Sequence, residues 1–139
     1  MPESVSSAES MKIDVPWSPT PRISVIIPAT SGEERLVSCL RSLVGPGTGD
    51  LPFETIVILN KAVAKSEARL RNFINGVQFL ASPANLGMAG AGNRGRSHAR
   101  GELLVTLHDD AEVEPGWLAA LVDAADKHPH AGAIGGKVL

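Results

Sequence analysis

The chain has 139 residues, 43% of them hydrophobic, which suits one domain with a modest core and leaves little room for a second. Lys and Arg number 13 against 15 for Asp and Glu, and a formal charge of -2 provides no broad field for nucleic acid or an anionic membrane; any phosphate binding must be local. The single cysteine, Cys39, excludes an internal disulfide framework, the first residues lack a signal-peptide h-region, and no stretch reaches the ~20 apolar residues of a membrane span, so the expectation is a cytoplasmic protein with Cys39 serving in packing.

Residues 1–21 are dense in Ser and Pro without strand or helix periodicity and are expected to form a mobile tail, with Trp17 able to dock on a folded domain at 22–139. From Arg22 short β-rich runs alternate with longer amphipathic ones, the pattern of βαβ units in a largely parallel sheet. The first strand is ISVII, Ile23 to Ile27, closed by Pro28, which cannot donate to a ladder. Ser31 stands as an N-cap with Glu34 three positions on, and Leu36, Cys39, Leu40 and Leu43 make one apolar helix face. GPGTGD breaks that helix.

ETIVIL, Glu54 to Leu59, is the second strand, followed by a helix from about Ala64 to Ile74 that Asn75-Gly76 ends. VQFL, Val77 to Leu80, is the third. After a glycine-rich stretch a helix is predicted from about Gly92 to Arg100, with Gly101 as its cap. ELLVTL, Glu102 to Leu107, is the fourth strand and carries His108, Asp109 and Asp110 to its carboxyl end, where open α/β sheets bind ligands. A last helix starts after Glu114-Pro115 with Leu118, Leu121, Val122 and Ala125 on one face, and AIGGKVL is predicted as a fifth strand. The fold class is therefore α/β: a mostly parallel open sheet with helices on both faces.

Two stretches carry chemistry. NLGMAGAGNRG places Gly87, Gly90, Gly92 and Gly95 before a helix, so backbone N–H groups and the helix terminus could receive a diphosphate. Asn85 and Asn93 add amides able to face a sugar or ribose. The bland alternative is that the glycines only let a helix pack closely on the sheet. GAGNRG also matches G-x-G-x-x-G, yet about nine loop residues separate it from its strand, against a dinucleotide fold. In LHDDAEVEPGWL, adjacent carboxylates at a strand end repel unless a cation or donors offset their charge. Beside a diphosphate, such hard oxygen ligands suit Mg²⁺ or Mn²⁺, with Asp110 as the ligand and His108 able to add an imidazole; the alternative is a simple turn cap.

Taken in order, ISVIIPATSGEERLVSCLRSL, ETIVILNKA, NLGMAGAGNRGRSHARGELLVTLHDDAEVEPGWLAALV and AIGGKVL resemble the first, nucleotide-sugar-binding half of the family-2 glycosyltransferases, which have a GT-A, Rossmann-like sheet. The resemblance runs from about Arg22 to Leu139 and is most specific in the long third block. It implies that Pro28, Ala29 and Thr30 lie against the nucleotide base and that Asn60 hydrogen-bonds it. It further implies that Asp109 lies near the ribose, that Asp110 holds the metal, and that Asn85 to Asn93, including Gly87 and Gly90, lies beside the donor phosphates and sugar. Four positions depart: Thr30 and Ser31 replace an aromatic residue and Asn, Leu59 replaces an aspartate, and His108 stands where another acid is frequent. The resemblance also implies an acceptor-binding half beyond the fifth strand that supplies the general base. The expectation is thus a truncated donor-binding domain with no catalytic residue of its own, which binds a nucleotide-diphosphate-sugar for transfer to an acceptor hydroxyl. The rival expectation is a non-catalytic domain that associates through an exposed sheet edge.

Overall fold

The computed structural model describes residues 12–44 and 51–135. The two most apolar runs become neighbouring central strands, β2 (Ile23–Ala29) and β3 (Phe53–Leu59), and every residue of both is buried, as expected of strands covered on two faces. Outside them lie β5 (Val77–Ala81) and β6 (Leu103–Thr106), giving a four-stranded, all-parallel sheet in the order β5-β3-β2-β6.

Helix α1 (Glu33–Ser42) buries Leu36, Cys39 and Leu40 in one core layer, which it shares with Leu118 and Val122 of α5 (Trp117–Lys127). The other face is covered by α4 (Gly87–His98), whose Ala91 packs on Ile56 and Ile58. Helices therefore do cover both faces, and the parallel α/β architecture expected from the sequence is the one observed. Among the described residues no helix is long and apolar enough to cross a membrane.

Several local expectations are corrected. The folded unit starts before residue 22: β1 (Ile13–Asp14) pairs in parallel with β4 (Ile74–Asn75), and Ile13 and Val15 are only 4% and 3% exposed. Hydrophobic burial outweighs the Ser/Pro composition there; residues 1–11 lie outside the described ones. Asn75 and Gly76 consequently do not end a helix. The expected single helix is two short ones, α2 (Lys61–Ala64) and α3 (Glu67–Phe73), and Gly76 turns the chain with φ 83° against Val15.

Pro28 lies inside β2 and does not close it. Leu103 N–H donates to the Arg22 carbonyl and Leu107 N–H to that of Ile26, so even-numbered residues of this strand bond toward β6. The donor Pro28 lacks therefore falls on the β6 side, past the last paired residues, Ile26 and Thr106. Gly101 is not the cap of α4, which is Ala99; a β-carbon on Gly101 would meet the β2 backbone at 2.7 Å, so glycine is required there for close approach. Residues 133–135 are not in a strand, and the rest of the predicted fifth strand lies outside the described residues, as does GPGTGD.

Candidate functional site

Because the four strands are parallel, their carboxyl ends share one edge of the sheet, and the post-strand residues of β2, β3, β5 and β6 gather there. The β6 extension keeps the period of a strand past its last paired residue: Leu103, Val105 and Leu107 point into the core, Leu104, Thr106 and His108 outward. Asp109 falls on the inward parity and Asp110 on the outward one. The two adjacent carboxylates are thereby given opposite surroundings, a distinction the alternation in LLVTLHDD already carries.

Asp109 is 2% exposed. Its Oδ2 accepts the backbone N–H groups of Thr30 (2.9 Å) and Ser31 (2.8 Å), and its Oδ1 accepts the Ser31 hydroxyl at 3.1 Å. This accounts for a missed feature of the sequence: Ser31 is not an N-cap. Gly32 holds that position without a side-chain bond, and the Ser31 hydroxyl is turned to the carboxylate.

Asp110 and His108, in contrast, are exposed, and neither side chain has a hydrogen bond or ion pair among the described residues. Their main chain is fixed: the His108 carbonyl accepts the Ala111 N–H at 3.1 Å and the Cys39 thiol at 3.6 Å. Burial, then the negative charge of Asp109, Asp110 and Glu112, pushes the Cys39 thiol up to about 12, so it is a packing group and not a nucleophile, and this end of the sheet is electronegative. Among the described residues no three His, Cys, Asp or Glu side chains form a metal cage. One free carboxylate and one free imidazole do fit a divalent cation that takes its remaining ligands from a phosphate and water.

The other expected site residues divide. Pro28 and Ala29 are buried in β2, while Thr30 is exposed above the sheet. Asn60 is 3% exposed; its Oδ1 accepts the Leu86 N–H at 3.3 Å, and its Nδ2 is buried without a partner. It fastens the end of β3 to the segment before α4. Asn85 is exposed with its Oδ1 3.5 Å from the Gly87 nitrogen, and Asn93 is exposed on α4.

The glycine-rich stretch is not a loop. The helix begins at Gly87, where φ is 68°, so Gly90, Gly92, Asn93 and Gly95 are helical. A β-carbon on Gly95 would meet Ile26 Cγ2 at 2.5 Å, so at this position glycine serves close helix–sheet packing. Sequence reasoning also missed Arg94, whose Nη1 donates to the Ala81 carbonyl at 2.7 Å and ties α4 to the end of β5.

The arrangement is that of an open α/β sheet with a polar, acid-bearing rim at the carboxyl ends of its strands. The family model "Glycosyl transferase family 2" matches residues 24–138, and the chain belongs to that family. A glucosyl-dolichyl phosphate glucuronosyltransferase of Haloferax volcanii is 27% identical over 90 residues, 63% of this chain and 29% of that protein. The O-antigen biosynthesis protein RfbC of Myxococcus xanthus is 29% identical over 131 residues, 92% of this chain and 10% of that one. An uncharacterized protein of Sinorhizobium fredii, y4gI, is 30% identical over 128 residues, 88% and 14% of the two chains. The crystal structure of Staphylococcus aureus TarS 1–349 superposes with a TM-score of 0.60 at 23% identity, covering 78% of this chain and 33% of that one, and shows the GT-A fold here. The chain thus spans less than a third of the curated relatives it matches.

Proposed function

We propose that the rim formed by Thr30, Ser31, His108 and Asp110 binds the nucleotide diphosphate of a nucleotide-sugar donor through a divalent cation. The observation that carries this reading is the contrast within one dipeptide. Asp109 is buried and bonded, whereas Asp110, at the carboxyl end of β6, is exposed and without a side-chain partner among the described residues. An unpaired carboxylate in an electronegative rim favours a cation, and Mg²⁺ or Mn²⁺ held by Asp110, with Mn²⁺ better suited to His108, would accept diphosphate oxygens in its open positions. Bound there, such an ion stabilises the departing diphosphate when a sugar moves to an acceptor hydroxyl. Asn85 and the exposed first turn of α4 lie toward the phosphates and sugar in this reading, with the N–H groups of that turn as donors. A general base and the acceptor site are assigned to no residue of this chain.

Calorimetric titration of UDP, GDP and dTDP with Mn²⁺ and with chelator, on wild type and Asp110→Ala, tests the reading. Saturable binding that needs both the metal and Asp110 is expected. A folded wild type that binds none of the three overturns it. A second reading, association through the β6 edge, rests on Leu104, which is 45% exposed on that strand; a concentration-dependent shift in size-exclusion volume that Leu104→Lys abolishes would favour it.

A further inference from the structure

The resemblance assigns Asp109 to the ribose, but the surroundings of its carboxylate indicate a different role. We propose that Asp109 is a positioning residue: it shapes the Thr30–Ser31 turn that lines the nucleotide site and does not itself touch the ligand. The proposal rests on the donor-site reading above for the identity of the ligand, and on geometry alone for the turn.

A carboxylate has about four acceptor positions. Three are filled from inside the protein, by the N–H groups of Thr30 and Ser31 at 2.9 and 2.8 Å and by the Ser31 hydroxyl at 3.1 Å. The fourth is almost closed to solvent, since Asp109 is 2% exposed. A ribose hydroxyl would have to displace one of these donors and open the core to reach it.

The donors are the first two residues after β2, where the chain leaves the ladder: the Ala29 carbonyl still accepts the Asn60 N–H, at 3.3 Å, and the next two N–H groups have no strand to meet. Asp109 takes both. Two successive amides directed at one oxygen hold the backbone in a single conformation, and Thr30 and Ser31 are thereby held exposed at the rim. Asp110, the next residue, is anchored through the same peptide chain, so the turn and the cation ligand form one unit. The ion-binding and base-facing parts of the rim are set relative to each other before any ligand arrives.

The test uses the chain as it is and reads amide hydrogen exchange by NMR together with Mn²⁺-dependent titration of UDP, GDP and dTDP. In the wild type the Thr30 and Ser31 amides, although in exposed residues, exchange at least tenfold slower than free loop amides, with and without saturating nucleotide. Exchange at the unprotected rate in the folded wild type, or release of these amides on nucleotide binding, overturns the proposal. Asp109→Asn, which keeps the shape and loses the charge, accelerates both amides about tenfold or more and weakens nucleotide binding by a similar factor, at temperatures far below its melt. Ser31→Ala, which removes only the hydroxyl contact, gives a smaller change in the same two readouts. Lost binding in Asp109→Asn with both amides still protected would assign Asp109 to the ligand and reject positioning. If the wild type binds no nucleotide, the donor-site reading fails on its own, and the exchange rates still decide whether Asp109 holds the turn. Should Asp109→Asn not fold, the wild-type exchange in the presence and absence of ligand decides.

Discussion

At the amino ends of the strands Glu54 is 6% exposed and surrounded by donors: the Ser24 hydroxyl at 2.6 Å, the Arg100 N–H at 2.7 Å, and the Arg100 guanidinium at 3.3 Å. The same Arg100 reaches the Pro19 carbonyl at 3.0 Å, and the Ser24 hydroxyl accepts the Gly101 N–H at 2.8 Å, so β2, β3, the start of β6 and the N-terminal segment meet on one carboxylate. At the carboxyl ends Asp109 repeats this pattern on a smaller scale, and one residue later the Asp110 side chain has no partner among the described residues. Both ends carry acids; among the described residues the rim leaves Asp110 unpaired. A buried acid with a full set of donors fixes the fold, while an exposed acid without them is available to something from outside.

The sharpest way to break the comparison is to remove the floor acid. Glu54→Ala leaves the Ser24 hydroxyl, the Arg100 amide and the guanidinium without their acceptor. Since Arg100 is half exposed and can rehydrate, the cost falls at the low end of the range for a broken buried pair, about 3 kcal/mol, or roughly 10 °C in Tm by calorimetry. A loss under about 1 kcal/mol would mean that the floor network is replaceable by water.

Acid sharpens the same point with a smaller effect. Burial alone would push the Glu54 carboxyl up, but the hydrogen bonds from Ser24 and Arg100 together outweigh it and hold the group below its ordinary 4.5. A carboxyl held low in the folded state contributes stability that is fully present above its unfolded value and is lost as pH falls through the folded one. The difference in Tm between wild type and Glu54→Gln is therefore widest above pH 4.5 and narrows as pH drops below it. A gap that stays constant on acidification would assign the loss in Glu54→Gln to packing alone.

The N-terminal strap is the weaker part of the floor. Gly76 has φ 83°, and a β-carbon there would collide with the Val15 carbonyl. Gly76→Ala is expected to detach β1 at a cost of about 1–2 kcal/mol, seen as faster amide exchange at Val15, whose N–H donates to Asn75 at 2.9 Å, with the four-stranded sheet unchanged. If the whole sheet exchanges faster, the strap is part of the cooperative core.

How much of this was legible depends on how many residues repeat a signal. The helix face Leu36, Cys39, Leu40 and Leu43 and the runs ISVII and ETIVIL recur over enough positions to fix type and place, and the α/β architecture follows. β1 offers only Ile13, Asp14 and Val15, one alternation inside a Ser/Pro-dense segment, and its burial comes from contacts about 60 residues away. Glycine is a poor helix former, by roughly 1 kcal/mol per residue, so the glycine-rich stretch has the local signature of a loop. Tertiary packing overrides that propensity: Ala91 fills the space over Ile56 and Ile58, and Gly95 lets the helix settle on Ile26. At the site, the resemblance located the acids, but only the strand alternation separates an inward Asp109 from an outward Asp110. Nothing in the sequence shows that Asn60 bonds Leu86, since that contact depends on where the next crossover helix begins.

The smallest expected effect is the most informative about the rim. Asp110→Asn removes a charge that has no partner among the described residues and lies near Asp109 and Glu112, all three of which act on Cys39. Relief of that repulsion offsets any lost solvation, so stability in urea should stay within about 0.5 kcal/mol of the wild type, with an unchanged slope. The same substitution is expected to abolish Mn²⁺-dependent nucleotide binding. An acid whose removal leaves the fold intact and eliminates the ligand is one the fold does not need. Destabilisation above about 1 kcal/mol would instead place Asp110 with Glu54 and Asp109 among the acids that hold the sheet together, and the contrast between the two neighbouring carboxylates would be lost.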